Sequence, residues 1–295
     1  MSTTCTAKSP TRPPSTEPSV ASRRFVAPSR EQVAAGCFDH PVFAACAAQR
    51  DWLEGATWPS IDAMNRALQM DSRNAGLALV EQSQSLLDDG LHYEQRIRHH
   101  GCIATRTCNW HDLFNALAWM AYPELKRALN RRQVEEIDRM GLKTRSRAQS
   151  ALTHFDEGGA VVIVRDSDLM ALWNAHDWHG LFWRERSAWN DGRIGITAVF
   201  GHALLEHALE PQQLLVAKCI VVATMANAEQ ANARVARMIA AGELLSDPQE
   251  LRPLPLSGIP GWHAQRDSEE FYRQAACFRP LREGRTYPSP KNIYQ

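Results

Sequence analysis

Three short stretches of the sequence combine carboxylate, imidazole and amide side chains in patterns that could do chemistry. In the first, His111, Asp112 and Asn115 fall in one wedge of a predicted helix that is otherwise largely apolar. A polar wedge on an apolar helix must find partners. It predicts either a functional site or an architectural role, in which Asp112 caps its own helix and the other two bond to neighbouring backbone.

The second stretch pairs a histidine with a glutamate. His202 and Glu206 are four residues apart and therefore share a face of a predicted helix, next to apolar Leu204 and Leu205. The imidazole and the carboxylate could bind one ion or hydrogen-bond each other. The alternative is an ordinary pair at the core boundary that is solvated by water.

The third stretch is a pair of carboxylates. Asp156 and Glu157 precede Gly158 and Gly159 at a predicted helix end, where the helix dipole opposes negative charge by roughly 0.3 to 1 kcal/mol. Two close carboxylates can hold a divalent cation. They can also divide acid and base roles, because their mutual repulsion moves their pKa values apart. The alternative is a solvated turn, which Asp and Gly both favour.

If these stretches converge, they form a carboxylate and imidazole cluster of the kind that binds a divalent metal ion and activates water. The sequence thus predicts a metal-dependent enzyme, with hydrolysis as the first reaction to test. The expected metal ligands are Asp112, His202 and Glu206. The expected catalytic and supporting groups are Asp156, Glu157, His111 and Asn115, with Asp156 also a possible ligand. The common motifs HExxH, GxSxG, GxxxxGK[ST] and GxGxxG are absent from the sequence.

A basic segment supports an alternative from another functional class. Residues 126–147 carry eight Lys and Arg residues, including Arg131 and Arg132, and could bind nucleic acid or a partner protein without catalysis. Mixed signs at helical spacing more often indicate a solvated face. The formal net charge is zero, so no long-range field favours nucleic acid.

Cysteine usage and hydropathy indicate the compartment. The seven cysteines are odd in number and never spaced as CxxC, as expected for reduced thiols in a cytoplasmic protein. The first two dozen residues lack the apolar stretch of a secretory signal. The apolar run at 214–226 is interrupted by Lys218 and is shorter than the roughly 20 residues that cross a bilayer. We therefore expect a soluble protein without a membrane partner.

The hydrophobic pattern predicts a mainly α fold with a small β component (α+β) in a single compact globular domain. Helices are predicted at 109–122, 123–140, 145–155 and 202–209, strands at 160–164 and 194–200, a β-hairpin or a pair of short strands at 92–106, and one or two long helices at 211–245. The domain is predicted to span 29–285. A disordered Ser/Thr/Pro-rich tail at 1–28 and a flexible end at 286–295 are expected to flank it.

Four strings of the sequence also resemble a known family. They are the segments that begin Asn109-Trp110-His111-Asp112 and Ala151-Leu152-Thr153-His154, and the strings Phe200-Gly201-His202 and Leu256-Ser257-Gly258-Ile259-Pro260-Gly261-Trp262. Together they are similar to the bacterial family of domains of unknown function numbered 3025, over roughly residues 45–285. The resemblance implies a bacterial protein but no activity, so each residue has to be judged on its own chemistry.

Overall fold

The computed structural model describes residues 25–265 and 267–292. Residues 1–24 of the predicted tail, and 293–295 at the other end, lie outside the described residues. Where the description begins, the ring of Phe25 stacks on His207 at 4.0 Å between centroids. The Pro28 carbonyl accepts a hydrogen bond of 3.0 Å from Trp110 Nε1. Residues 25–28 therefore contact the domain.

Helices account for most of the regular structure in the described residues. The α-helices are α1 (Arg50–Glu54), α2 (Ile61–Leu68), α3 (Gln84–Leu87), α4 (Tyr93–His100), α5 (Trp110–Ala121), α6 (Pro123–Met140), α7 (Arg147–Gly158), α8 (Ser167–Asn174), α9 (Arg186–Asn190), α10 (His202–His207), α11 (Ala228–Ala240) and α12 (Glu269–Gln274). Short 3-10 segments and one π-helical turn at Gly180–Arg184 lie between them.

The strands form two sheets. They are β1 (Ala78–Glu81), β2 (Cys102–Thr105), β3 (Gly159–Val164), β4 (Ile194–Val199), β5 (Val216–Ala223), β6 (Arg252–Pro255) and β7 (Lys291–Asn292). Strands β1 and β2 pair in parallel. The larger sheet has the order β4-β3-β5-β6, and β7 also pairs with β5. The β3 and β5 strands are parallel, whereas β4 and β6 run antiparallel to their neighbours.

Strand β3 lies in the middle of the core. Its residues alternate between two clusters of buried side chains, with Val162 in one and Val161 in the other. Both faces of β3 are therefore covered. This explains why the strand is an unbroken run of small and β-branched residues instead of an alternating one. The predicted α+β class in a single domain is confirmed.

Two predicted elements are wrong. Residues 211–245 contain β5 before helix α11, and not one or two helices. The run Ile220 to Val222 is β-branched and buried, which favours a strand in the sheet core over its helical alternative. The predicted hairpin at 92–106 is helix α4 followed by β2. Gly101 ends α4 with φ 68°, so it acts as a helix cap and not as a hairpin turn.

The predicted helices that carry the polar stretches are confirmed. Helix α5 is capped by Asn109, whose side chain accepts from the Asp112 backbone N–H at 3.0 Å. Helix α6 has the predicted bounds 123–140. Among the described helices, none is long and apolar enough to cross a membrane. The six described cysteines are free.

Candidate acid–base site

Backbone packing brings two of the polar stretches together. Gly201, which precedes α10, donates its backbone N–H to the Gly159 carbonyl at 3.2 Å. A β-carbon on Gly201 would lie 2.5 Å from the Gly159 nitrogen and 2.6 Å from the Gly158 Cα, closer than side chains tolerate. Only glycine allows this approach. The end of α7, with Asp156, therefore abuts the start of α10, with His202.

Helix α5 contributes the third stretch. It buries Leu113, Phe114 and Leu117 in the core and turns the predicted polar wedge towards α10. There, His111 Nδ1 lies 3.0 Å from Glu206 Oε2. With Glu206 ionised, Nδ1 carries the ring proton that the carboxylate accepts, and the lone pair belongs to Nε2. The pair is a histidine whose tautomer and orientation are set by a carboxylate.

A buried lysine joins α5 to α7. Lys126 of α6 donates to Asp156 Oδ1 at 2.5 Å and to Asn115 Oδ1 at 2.9 Å. The Asn115 amide in turn donates to the Tyr93 hydroxyl at 2.8 Å. The chain of contacts therefore runs from α4 through α5 and α6 to α7, and the carboxamide oxygen and the carboxylate share one ammonium group.

Charge interactions keep Asp156 ionised despite its burial. Burial alone would raise the pKa of this carboxyl, but the positive charge of Lys126 and its hydrogen bond to Oδ1 outweigh the effect of burial and lower the pKa. The ionised Asp156 is the counter-charge that stabilises the buried Lys126 ammonium.

His202 is the least satisfied polar group of the cluster. Its side chain is 9% exposed, and Nδ1 lies 3.9 Å from Asp156 Oδ2 without a hydrogen-bond partner. Its ring meets His111 edge-on, with 4.4 Å between centroids. Burial lowers the pKa of His202 to about 3, against the attraction of Asp156. His202 is therefore neutral at neutral pH.

Asp112 is bound by an arginine instead of capping α5. The Arg106 backbone N–H donates to Asp112 Oδ2 at 2.6 Å, and the guanidinium donates to both oxygens at 2.9 and 2.8 Å. This two-pronged geometry is the strong form of an arginine to carboxylate contact. It fixes the loop between β2 and α5 against the helix.

Glu94 is a second buried carboxyl beside the cluster. Burial, reinforced by the negative charge of Asp156, raises the pKa of Glu94 to about 7. The Asn130 amide donates to its Oε2 at 2.7 Å, and the Gln133 amide lies 3.4 Å from its Oε1. Glu94 therefore exchanges a proton near neutral pH.

These side chains surround one cavity of about 260 Å³. Its walls include His111, Asp112, Asn115, Asp156, Glu157, His202, Tyr93, Glu94, Arg106 and Arg145. The structure thus brings together the three polar stretches. Of the seven predicted site residues, Glu206 reaches the cavity through His111, and the other six line it directly. Their catalytic and ligand roles stay predictions.

The metal ligands predicted from sequence have other partners. Asp112 is bound by Arg106, Glu206 by His111, and His202 faces Asp156. Across residues 25–265 and 267–292, no group of three or more His, Cys, Asp and Glu side chains is arranged to hold a metal ion.

Sequence reasoning missed four residues of this site: Lys126, Arg106, Tyr93 and Glu94. A signal for the first existed in helix α6. Lys126, Asn130 and Gln133 are spaced three and four apart, so they form one stripe, and two of them are uncharged in a helix that is otherwise highly charged. A stripe of this kind indicates buried hydrogen bonding, which an exposed face does not require.

The rest of the basic segment is largely neutralised. Arg131 and Arg132 bind Glu135 at 2.8 and 3.3 Å, and Arg139 binds Glu136 at 2.5 Å. Arg147 binds Asp247 of the loop after α11. Most cations of the predicted nucleic-acid or partner surface thus have carboxylate partners.

Comparison with known proteins places the chain in a family. A family model described as protein of unknown function (DUF3025) matches residues 77–282, which include all four strings and every cavity residue named above. The match begins later than residue 45, where the resemblance of the strings was placed. No curated protein and no solved structure matches the chain. The family model covers well over half of the sequence, so the chain belongs to the DUF3025 family, whose function is unknown.

Proposed function

We propose that this protein is an enzyme of the hydrolase type, with His111 as the general base and then the general acid. The observation that carries the proposal is the contact of His111 Nδ1 with Glu206 Oε2 at 3.0 Å on the wall of the cavity. A histidine oriented by a carboxylate and open to a cavity is the usual arrangement for moving a proton at neutral pH.

The proton transfers follow from the tautomer. Because Nδ1–H donates to Glu206, the Nε2 lone pair of His111 takes a proton from water as the water oxygen attacks the substrate. The imidazolium is stabilised by the Glu206 carboxylate and then returns the proton to the leaving group. One proton enters and leaves His111, so the residue is restored after each turnover.

Neutral His202 supports this role. A second imidazolium, edge-on at 4.4 Å, would repel the charge that forms on His111. Burial prevents it by lowering the pKa of His202 to about 3. His202 thus acts as a positioning residue for His111.

Among the described residues, Arg145 gives the cavity one free positive charge for an anionic group of the substrate. The Asp112 and Asp156 carboxylates are neutralised by Arg106 and Lys126. Arg145, also on the cavity wall, has no hydrogen-bond or ion-pair partner among the described residues. A free guanidinium at the entrance suits a phosphoryl or carboxylate group. Glu157 is exposed and also lines the cavity, so its negative charge would limit the total negative charge of a bound substrate.

The second candidate is a divalent metal ion in the same cavity, which was the leading prediction from the sequence. The observation that favours it is the unpartnered His202 Nδ1, 3.9 Å from Asp156 Oδ2. Both atoms offer lone pairs, and a metal ion between them would activate water as a Lewis acid. Against it, the ammonium of Lys126 already holds Asp156 at 2.5 Å and would repel a dication.

The test is a hydrolysis screen on phosphomonoesters, phosphodiesters and carboxylic esters, with and without divalent metals. For any substrate that is turned over, His111→Gln should lower kcat by about 10² to 10⁴ fold, the usual contribution of a general base. His99→Gln is the matched control, because His99 is exposed on α4 and does not line the cavity. Equal rates for His111→Gln and wild type would contradict the assignment.

Metal content separates the two candidates. Elemental analysis of protein purified without chelator, followed by thermal-shift titration with Mg²⁺, Mn²⁺, Fe²⁺ and Zn²⁺, tests for a bound ion. Stoichiometric metal that is lost in His202→Ala would favour the metal-dependent mechanism. Activity that survives chelator and still requires His111 would favour the first.

A further inference from the structure

A second concave surface lies between α4, α6 and α11. It is a groove of about 530 Å³, within the range of volumes that bind small molecules. Its lining residues are Leu77, Ile97, Arg98, Trp119, Glu124, Arg127, Ala128, Asn130, Arg131, Ala233, Ala236, Arg237 and Ala240. None of these residues lines the cavity of the acid–base site.

Small side chains on α11 create the groove. Ala233, Ala236 and Ala240 are spaced three and four apart, so they form one stripe of the helix facing the groove. Larger residues at these positions would occupy the space. The buried side chains of Ile97 and Trp119 border the same groove, so its floor is apolar.

Positive charge rims this apolar floor. Four guanidiniums, from Arg98, Arg127, Arg131 and Arg237, line the groove against the single carboxylate of Glu124. Glu124 also lies 3.7 Å from Arg73, which lowers its capacity to balance the rim.

The pairing of the four arginines is incomplete. Arg131 has Glu135 at 2.8 Å, but neither Arg98 nor Arg237 has an ion-pair partner among the described residues. Arg127 donates to the backbone carbonyls of Arg73 and Ala75 at 2.6 and 2.8 Å.

The Arg127 contacts fix the guanidinium without cancelling its charge, since carbonyl oxygens are neutral. Burial lowers the pKa of Arg127, and the positive charge of Arg98 lowers it further. Arg98 and Arg127 thus repel each other at the groove, an arrangement that a bound anion would relieve.

We propose that this groove binds a small organic phosphate, with its phosphoryl group at Arg98, Arg127 and Arg237 and its apolar body on the alanine stripe of α11. Guanidinium groups match phosphate oxygens in geometry and charge. An apolar floor with a few polar groups at one edge is the usual composition of a small-molecule site. The proposal is independent of the acid–base chemistry.

The test is calorimetric titration of the full chain with 1-naphthyl phosphonate, whose carbon to phosphorus bond resists hydrolysis, in about 0.15 M salt to screen diffuse attraction. Wild type should bind, and Arg98→Gln with Arg237→Gln should weaken binding about tenfold or more. Both residues are exposed, and neither side chain has a hydrogen bond or ion pair among the described residues, so the variant should fold.

Two further variants decide between a built site and adsorption. Arg66→Gln with Arg282→Gln removes the same charge from exposed positions outside the groove and should leave binding unchanged. Ala233→Leu fills the groove without altering charge and should weaken binding of the naphthyl compound.

Three outcomes would overturn the proposal. One is the absence of binding by wild type at about 1 mM ligand. Another is equal weakening by the two double variants, which would mean that net charge alone attracts the anion. The third is normal binding by Ala233→Leu, which would remove the alanine stripe from the site.

Discussion

Helix α6 supplies the cation of two ion pairs that differ in burial and in the sequence separation of their partners. Lys126 pairs with Asp156 inside the domain, where the two side chains are 4% and 13% exposed. Arg131 pairs with Glu135 one turn along the surface, where they are 55% and 43% exposed. The first pair joins two helices, and the second joins residues four apart on one helix.

The two pairs differ in the free energy that would be lost if one partner were removed. Water replaces the partner of Arg131 at little cost, because a surface pair contributes about 0 to 1 kcal/mol. Nothing replaces Lys126, because a buried carboxylate without a cation is strongly unfavourable. The same helix therefore has an interior charge on which the site depends and an exterior charge on which little depends.

The largest expected effect is that of Lys126→Met. It leaves Asp156 buried without its main counter-charge, and the free energy of unfolding in urea should fall by about 3 to 5 kcal/mol. Adding Asp156→Leu should restore part of that loss, because an apolar pair needs no counter-charge. A loss below about 1 kcal/mol for the single variant would show that water reaches the pair, and the contrast with Arg131 would disappear.

Glu94→Gln tests the second buried carboxyl of the interior. The folded pKa of Glu94, about 7, is above its usual 4.5, so the folded protein holds a proton that the unfolded chain releases. The bound proton stabilises the folded state fully below about pH 4.5. This stabilisation, about 3 kcal/mol in all, is lost as pH rises towards 7. Glutamine keeps an acceptor for Asn130 and removes the titration.

The measurement is the difference in unfolding free energy between Glu94→Gln and wild type at pH 5 and pH 7.5. The variant should gain stability relative to wild type at the higher pH. A difference that does not change with pH would place the Glu94 carboxyl in water.

His202→Gln has the opposite pH dependence. The folded pKa of His202, about 3, is below its usual 6.5, so the unfolded chain takes up a proton that the folded protein does not. Stability is therefore complete above about pH 6.5 and falls as pH decreases towards 3. The loss near pH 5.5 is about 1.4 kcal/mol, one pH unit below the usual value.

In His202→Gln this part of the decrease in unfolding free energy at acid pH should be absent. Denaturation curves between pH 7 and 5 would measure it, with His99→Gln as a control for an exposed histidine. An unchanged slope would mean that His202 titrates as it does in water.

The smallest effect is expected on the exterior of α6. Arg131→Gln should change the free energy of unfolding by less than about 0.5 kcal/mol, because the pair with Glu135 is exposed and four residues apart on one helix. Added salt should reduce even that effect. A loss comparable to that of Lys126→Met would mean that exposure does not separate the two pairs.

Local signals in the sequence predicted helices better than strands. Pro123 and a run of good helix formers set the bounds of α6 correctly. Strand β5 was missed because Ala217, Lys218 and Cys219 separate Val216 from the β-branched run that follows. The strand is defined by its pairing with β3 and β6, which is information that its own residues do not contain.

The site was predicted in part for a similar reason. The residue types at His111, Asp156 and His202 identified the three stretches, because such polar groups in apolar segments require partners. The partners themselves depend on distances across the fold. Lys126 contacts Asp156, which is thirty residues away in sequence. The basic residues near Lys126 in sequence therefore placed it among surface cations.

The close packing of Gly201 on Gly158 and Gly159 has a consequence for the order in which the protein assembles. The contact joins backbone segments more than 40 positions apart, and His111 meets Glu206 across 95. Contacts of such long range form late, because the chain loses the entropy of closing a long loop before the contact stabilises it. A newly made chain would acquire its helices first and the contact between His111 and Glu206 only when the sheet has formed, so the proposed activity would require the fully folded molecule.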